Sequence, residues 1–129
     1  MSKKDLNLTE AEWTVMECLW EQSPRTGREV AGCLYERMGW SRSTALTLLR
    51  RLEAKGAVAG DTQGERKTFR PLLEREDAAL QETENLLERM YQGSLSLLVS
   101  AMTKKQTIPQ KEIDGLYAIL QELEEKNSG

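Results

Sequence analysis

Histidine is absent from these 129 residues, and cysteine occurs only twice, at Cys18 and Cys33. Without an imidazole, neither a Ser-His-Asp nor a Cys-His arrangement can form, and general-base chemistry at neutral pH loses its usual carrier. Two separated cysteines with no carboxylate cluster supply no zinc, copper or iron site. The sequence therefore reads as that of a protein that is not an enzyme, and no metal or cofactor is expected. Both cysteines fall inside helical apolar patterns, which predicts reduced, buried thiols used for packing. Aromatic residues make up only 5% of the chain, so aliphatic side chains must fill the core, and the abundance of Leu, Ala and Glu favours helix. No stretch approaches the ~20 apolar residues that span a bilayer. The charged start, Met1 to Asp5, carries no apolar leader segment. A cytoplasmic location without membrane insertion is the expectation.

Apolar residues at 39% and charged residues at 30% suit one compact domain, or a small domain with an oligomerisation arm. Thr9-Glu10-Ala11-Glu12 reads as a capping box. Behind it Trp13, Met16, Leu19 and Trp20 recur at helical spacing, predicting the buried stripe of a first helix that ends near Gln22, before Ser23-Pro24. Thr26-Gly27-Arg28-Glu29 is a second capping box, and Val30, Ala31, Leu34, Tyr35 and Met38 form a stripe that stops at Gly39. A third helix is capped by Ser41 and ends at Gly56. There Ala45, Leu48, Leu49 and Leu52 stand at i, i+3, i+4 and i+7. Ala57-Val58-Ala59 and Lys67-Thr68-Phe69-Arg70 then flank the turn-forming cluster Asp61-Thr62-Gln63-Gly64, which predicts a hairpin. Three helices and a hairpin make a mainly α, winged helix-turn-helix domain over residues 1–73.

From Glu74 onward Leu80, Leu86, Leu87, Met90, Tyr91, Leu95, Leu98 and Met102 recur along a long helix that Gly93 kinks. Thr107-Ile108-Pro109-Gln110 interrupts it, and Ile113, Leu116, Tyr117, Leu120 and Leu123 form a last stripe. Residues 74–129 thus predict a two-helix arm with too much apolar surface to stand alone. Pairing with a second copy about a twofold axis would cover Leu87, Met90, Tyr91, Leu95, Leu98, Met102, Ile113, Leu116, Leu120 and Leu123.

A formal charge of −3 conceals an uneven distribution. Residues 37–70 hold 8 Lys and Arg against 3 Asp and Glu, whereas residues 73–129 hold 6 against 11. A local basic stretch on a helix-turn-helix is the electrostatic footprint of phosphate binding. Thr44, Thr47 and Arg51 are candidates for base-edge contact in the major groove. Ser41, Arg42 and Ser43 sit where a helix N-terminus favours phosphate, although capping alone would account for Ser41. Lys55 is a further DNA-contact candidate at the far end. Arg50 either runs along the backbone or pairs with Glu53 or Glu36. On the wing, Arg66, Lys67 and Arg70 would straddle a phosphate backbone or probe a minor groove, or else guard the hairpin edge against aggregation. A homodimer would place two such helices on double-stranded DNA and demand a palindromic operator with half-sites about one helical turn, or a multiple, apart. The rival reading is a winged-helix protein-interaction module that binds no nucleic acid and docks through its acidic arm; the basic stretch argues against it.

The segments Leu8-Thr9-Glu10-Ala11-Glu12-Trp13-Thr14-Val15-Met16, Ser43-Thr44-Ala45-Leu46-Thr47-Leu48-Leu49-Arg50-Arg51-Leu52-Glu53-Ala54-Lys55-Gly56 and Arg66-Lys67-Thr68-Phe69-Arg70-Pro71 together resemble the BlaI/MecI/CopY transcriptional repressors, which include the penicillinase repressors. The likeness runs over nearly the whole chain. It implies a dimer that represses operons by covering an operator and is relieved when a signal separates it or removes it from DNA. In the penicillinase branch that signal is a membrane-bound sensor metalloprotease, and cleavage would fall near Ser100-Ala101, where relatives show Asn-Phe. The copper-responsive branch ends in Cys-x-Cys pairs. The tail Glu124-Glu125-Lys126-Asn127-Ser128-Gly129 has none, which argues against copper sensing of that kind. Ser43 stands where relatives often carry Lys, so the operator preference is expected to differ.

Overall fold

The computed structural model describes residues 7–129, so the charged start lies outside the described residues. The chain forms two compact units, one ending at Thr83 and one beginning at Glu84. In order, the elements are α1 (Glu10–Glu21), β1 (Arg25–Thr26), α2 (Gly27–Met38), α3 (Arg42–Lys55), β2 (Val58–Gln63), β3 (Arg66–Pro71), α4 (Arg75–Tyr91), α5 (Leu95–Thr103) and α6 (Gln110–Ser128).

Local chemistry explains most of these boundaries. The Thr9 hydroxyl accepts from the Glu12 amide at 3.1 Å while the Glu12 carboxylate accepts from the Thr9 amide at 2.9 Å. Thr26 and Glu29 repeat the exchange at 3.1 and 2.8 Å. Each box satisfies two amides that a helix start leaves orphaned. Helices α2 and α3 stop where Gly39 and Gly56 turn left-handed, at φ 71° and 82°, a conformation a Cβ would disfavour.

The core of the first unit is built where α1, α2 and α3 converge: Val15, Met16, Leu19, Val30, Leu34, Leu49 and Leu52 are fully or almost fully buried. Val58 of β2 and Phe69 of β3 join the same cluster. On α1 the buried stripe is Val15, Met16, Cys18 and Leu19; Trp13 and Trp20 stand half-buried at its flank, edge to face with ring centres 5.0 Å apart. On α2, Val30, Ala31 and Leu34 are buried, but Tyr35 and Met38 face solvent. Helical spacing alone placed them with the stripe, yet α2 outruns the elements that could cover its last turn.

The wing also departs from the expected hairpin. It is a three-stranded antiparallel sheet in the order β1-β3-β2, because Arg25 pairs with Phe69 and Thr26 with Thr68. Strands β2 and β3 run in register from Val58 opposite Pro71 to Gln63 opposite Arg66, so the turn narrows to Gly64 and Glu65, and Asp61 lies in the strand. A further correction concerns Cys18 and Cys33, which are bonded to each other rather than held as separate thiols, their Cα atoms 6.5 Å apart. Periodicity put both on apolar faces; it did not say that the two faces meet at these positions.

In place of two C-terminal helices there are three. Gln92 and Gly93 turn left-handed at φ 50° and 79°, and the Gly93 amide reaches back to the Leu87 carbonyl at 3.0 Å, satisfying one of the carbonyls that a helix end leaves open. Ser94 then caps α5 by accepting from the Leu97 amide at 3.2 Å. The glycine ends the helix instead of kinking it. Neither α5 nor α6 buries a residue among the described residues. Leu95, Met102, Leu116, Leu120 and Leu123 stand open, and Val99, Met102, Ile108, Ile113 and Leu116 line an open cleft of about 790 Å³. No helix among the described residues is long and apolar enough to cross a membrane.

Candidate nucleic-acid interface

Helix α3 divides sharply by burial. Ala45, Leu48, Leu49 and Leu52 point into the core, while Ser43, Thr44, Thr47, Arg50 and Arg51 are exposed. The spacing 43, 47, 50 and 51 is one helical stripe, diametrically opposite the buried one. Arg42, Arg50 and Arg51 make no side-chain hydrogen bond or ion pair among the described residues, so their guanidinium groups are available to an anion. Ser41 acts as the cap: its oxygen accepts from the Thr44 amide at 3.2 Å, and its hydroxyl donates to the Thr44 hydroxyl at 3.0 Å. The start of α3 therefore presents an ordered helix terminus, whose dipole favours negative charge.

The other basic candidates are distributed differently. The Lys55 ammonium turns to the Glu12 carboxylate and to the Asn7 carbonyl, the latter at 2.8 Å. Its charge is thus paired with the buried Glu12. Lys67 lies 3.3 Å from Glu53 and 5.2 Å over the Phe69 ring, and Arg70 donates to Asp61 at 2.8 Å. Of the candidates Arg66, Lys67 and Arg70, Arg66 alone makes no side-chain hydrogen bond or ion pair among the described residues, and it stands beside the Gly64–Glu65 turn. Arg50 pairs with neither Glu53 nor Glu36. Sequence reading missed Arg28, exposed in the first turn of α2 and likewise unpaired among the described residues; its position just after the Thr26 cap was the available signal.

Carboxylates near this surface are held ionised. Burial pushes the Glu12 carboxyl up, but hydrogen bonds from Lys55 and Thr9 and the Lys55 charge outweigh it, and the group lies below the ordinary glutamate range. At the α2 start, Glu29 is lowered chiefly by the Thr26 amide, then by the Thr26 hydroxyl, with the Arg66 and Arg25 charges adding to the effect. Strand β1 thus brings the wing and the beginning of α2 within electrostatic reach of each other. On the opposite side of α1, Arg75 donates to both oxygens of Glu17 at 3.0 and 3.1 Å and lies 5.8 Å over the Trp13 ring, while the Trp20 indole donates to the Leu73 carbonyl at 2.8 Å. Glu17 is lowered first by that Arg75 bond.

Comparison with known proteins follows the same outline. Residues 8–122 match the family described as "Penicillinase repressor". The chain is 31% identical over 120 residues to the penicillinase repressor of Bacillus licheniformis, covering 93% of this chain and 94% of that protein. It is 29% identical over 122 residues to the methicillin resistance regulatory protein MecI of Staphylococcus aureus (strain N315), covering 93% and 98%. Among solved structures, the DNA-binding domain of the repressor BlaI aligns with a TM-score of 0.52 and 31% identity over 60% of this chain and 93% of that one. The monomeric form of Bacillus licheniformis BlaI in complex with the blaP half-operator aligns equally well, with the same coverage.

Proposed function

This chain belongs to the penicillinase repressor family and is a DNA-binding transcriptional repressor of that type, not an enzyme; from that premise we propose that two copies grip a palindromic operator through the outward face of α3. The observation that carries this reading is the exposed stripe Ser43, Thr47, Arg50 and Arg51 with its guanidinium groups unpaired. BlaI is seen as a monomer on a half-operator, and by analogy a full operator takes two copies of this chain.

Within each half-site, Thr44, Thr47 and Arg51 read base edges, and Arg50 and Arg42 fix the helix on phosphates. Ser41 and Ser43 shape the helix start. Arg66 reaches backbone from the wing, and Arg28 adds a contact from α2. Lys67 and Arg70 would have to leave Glu53 and Asp61 to contribute, and Lys55 is assigned to the fold. Residues 1–73 act as the reading head and 74–129 as the dimerisation arm. The protein works in the cytoplasm, where its operator is. Relief of repression through a membrane sensor protease would require α5 to unwind, because Ser100 and Ala101 lie inside that helix.

Gel-shift titration on a duplex selected from a random pool tests the assignment. Arg51→Ala and Thr47→Ala should each weaken binding roughly 5- to 150-fold, the range of a lost base contact, and wild-type affinity should fall steeply with salt. Unchanged affinity in both variants would show that α3 does not read the operator.

A further inference from the structure

Cys18 and Cys33 join α1 to α2 across 15 residues of sequence, and neither operator reading nor dimerisation uses them. Cys18 is wholly buried in the core. Cys33 is half-buried and lines an open cavity of about 400 Å³ shared with Glu21, Arg25, Gly32, Glu36 and Arg37. Gly32 leaves that opening uncovered, since nothing stands within 4 Å of where its Cβ would be. Of the two cysteines, therefore, Cys33 borders solvent and Cys18 does not.

We propose that the Cys18–Cys33 pair is a redox clasp on the DNA-reading head, opened and closed through Cys33, and that its state sets the temperature at which the head unfolds. A dithiol reductant opens it. One thiolate of the reductant attacks the Cys33 sulfur, the Cys18–Cys33 bond breaks, and Cys18 leaves as a thiolate that takes up a proton. The second thiol of the reductant then displaces Cys33 from the mixed disulfide, so two electrons enter the clasp and the dithiol ends as a disulfide. Hydrogen peroxide closes it: the Cys33 thiolate becomes a sulfenic acid with release of hydroxide, and the Cys18 thiol displaces water to form the bond. Attack at Cys33 is the accessible course in both directions.

The consequence lies in what the clasp encloses. Between the two cysteines run the end of α1, β1 and the first turns of α2, the segment that ties α2 to the wing through Arg25 and Thr26. Cross-linking this loop removes conformations from the unfolded chain more than it alters the folded one. The head has a small core, so it responds strongly. In the reducing interior that the cytoplasmic reading implies, the clasp rests open and closes under oxidation.

The test uses the full chain at one protein concentration, treated either with hydrogen peroxide or with a phosphine reductant. Intact mass after denaturation in N-ethylmaleimide should show no adduct on the first form and two on the second. Thermal unfolding of the head should drop by about 10 °C or more on reduction, as expected for a loop of this length in a domain of this size. Cys33→Ser should unfold at the reduced temperature under both treatments, and Cys33→Ala serves as the control for the introduced hydroxyl. Two maleimide adducts after peroxide treatment, or equal midpoints in the oxidised and reduced wild type, would overturn the proposal.

Discussion

Lys55 ends the helix that carries the proposed reading face, yet its ammonium points down to a carboxylate that is 1% exposed. Glu12 does two things there: it closes the capping box of α1 and it neutralises the lysine. Removing the lysine would strand a buried anion, a change that costs more than the net worth of the pair. Because Lys55 is itself partly solvated, Lys55→Met should destabilise the head by about 1–3 kcal/mol at neutral pH. The pH dependence has a definite sign. In the wild type the folded Glu12 carboxyl lies below its ordinary value, so its contribution is present above the unfolded pKa and is lost as pH falls through the folded one. In Lys55→Met burial is opposed by the Thr9 hydrogen bonds alone, the folded carboxyl rises relative to the wild type, and acid removes less stability through this group. Urea unfolding at pH 7 and near pH 4, at the ordinary carboxylate pKa, should therefore find the gap between the two proteins narrowing in acid. A constant gap would separate Lys55 from Glu12. The sequence offers Lys55 as a DNA contact on charge and helix position; its partner Glu12 lies 43 residues away, a distance no local pattern spans.

Among the elements, the wing is where charge and pairing diverge most. Of the candidates Arg66, Lys67 and Arg70, the last two are tied to Glu53 and Asp61, and among the described residues Arg66 is the one of the three whose side chain has no such tie, so the proposed phosphate contact falls to it. Losing one phosphate contact lowers the slope of log affinity against log salt by about 0.9 and weakens all sequences alike. Arg66→Ala should show both effects in salt titrations on selected and random duplexes. Lys67→Ala should leave the slope nearly unchanged, and a full unit lost there instead would exchange their roles. Element by element, the helices were legible because their ends are written in single residues: Thr9, Thr26 and Ser41 as caps, Gly39 and Gly56 as stops. Strand β1 was not legible, since two residues carry no period and Arg25 and Thr26 become a strand only by meeting Phe69 and Thr68. The break after α4 was half legible. Gly93 was visible, but a glycine within a helical pattern reads equally as a kink, and the left-handed Gln92 before it decided for a stop.

At the scale of the whole molecule the unanswered demand is burial. The second unit leaves Leu116, Leu120 and Leu123 exposed at 41%, 52% and 47%, one stripe of α6, and an isolated helix of that composition gains little by folding alone. Covering about 100 Å² of apolar surface is worth roughly 2.5 kcal/mol, so a few leucines on each of two copies suffice to hold a symmetric pair once the cost of association is met. An aspartate in the middle of the stripe reverses that balance, because twofold symmetry sets its charge near its own copy in the partner. Leu120→Asp should sediment as a monomer, and the wild type as a dimer. Its head, with the core centred on α1 to α3, should keep its fold by circular dichroism. Binding to a half-operator should then be preserved, while affinity for the full palindrome falls about 100-fold or more, since the second head no longer arrives at high effective concentration. If the variant stays dimeric, α6 is not the seam. A monomer that retains full operator affinity would instead show that each head binds alone and that the arm has another use.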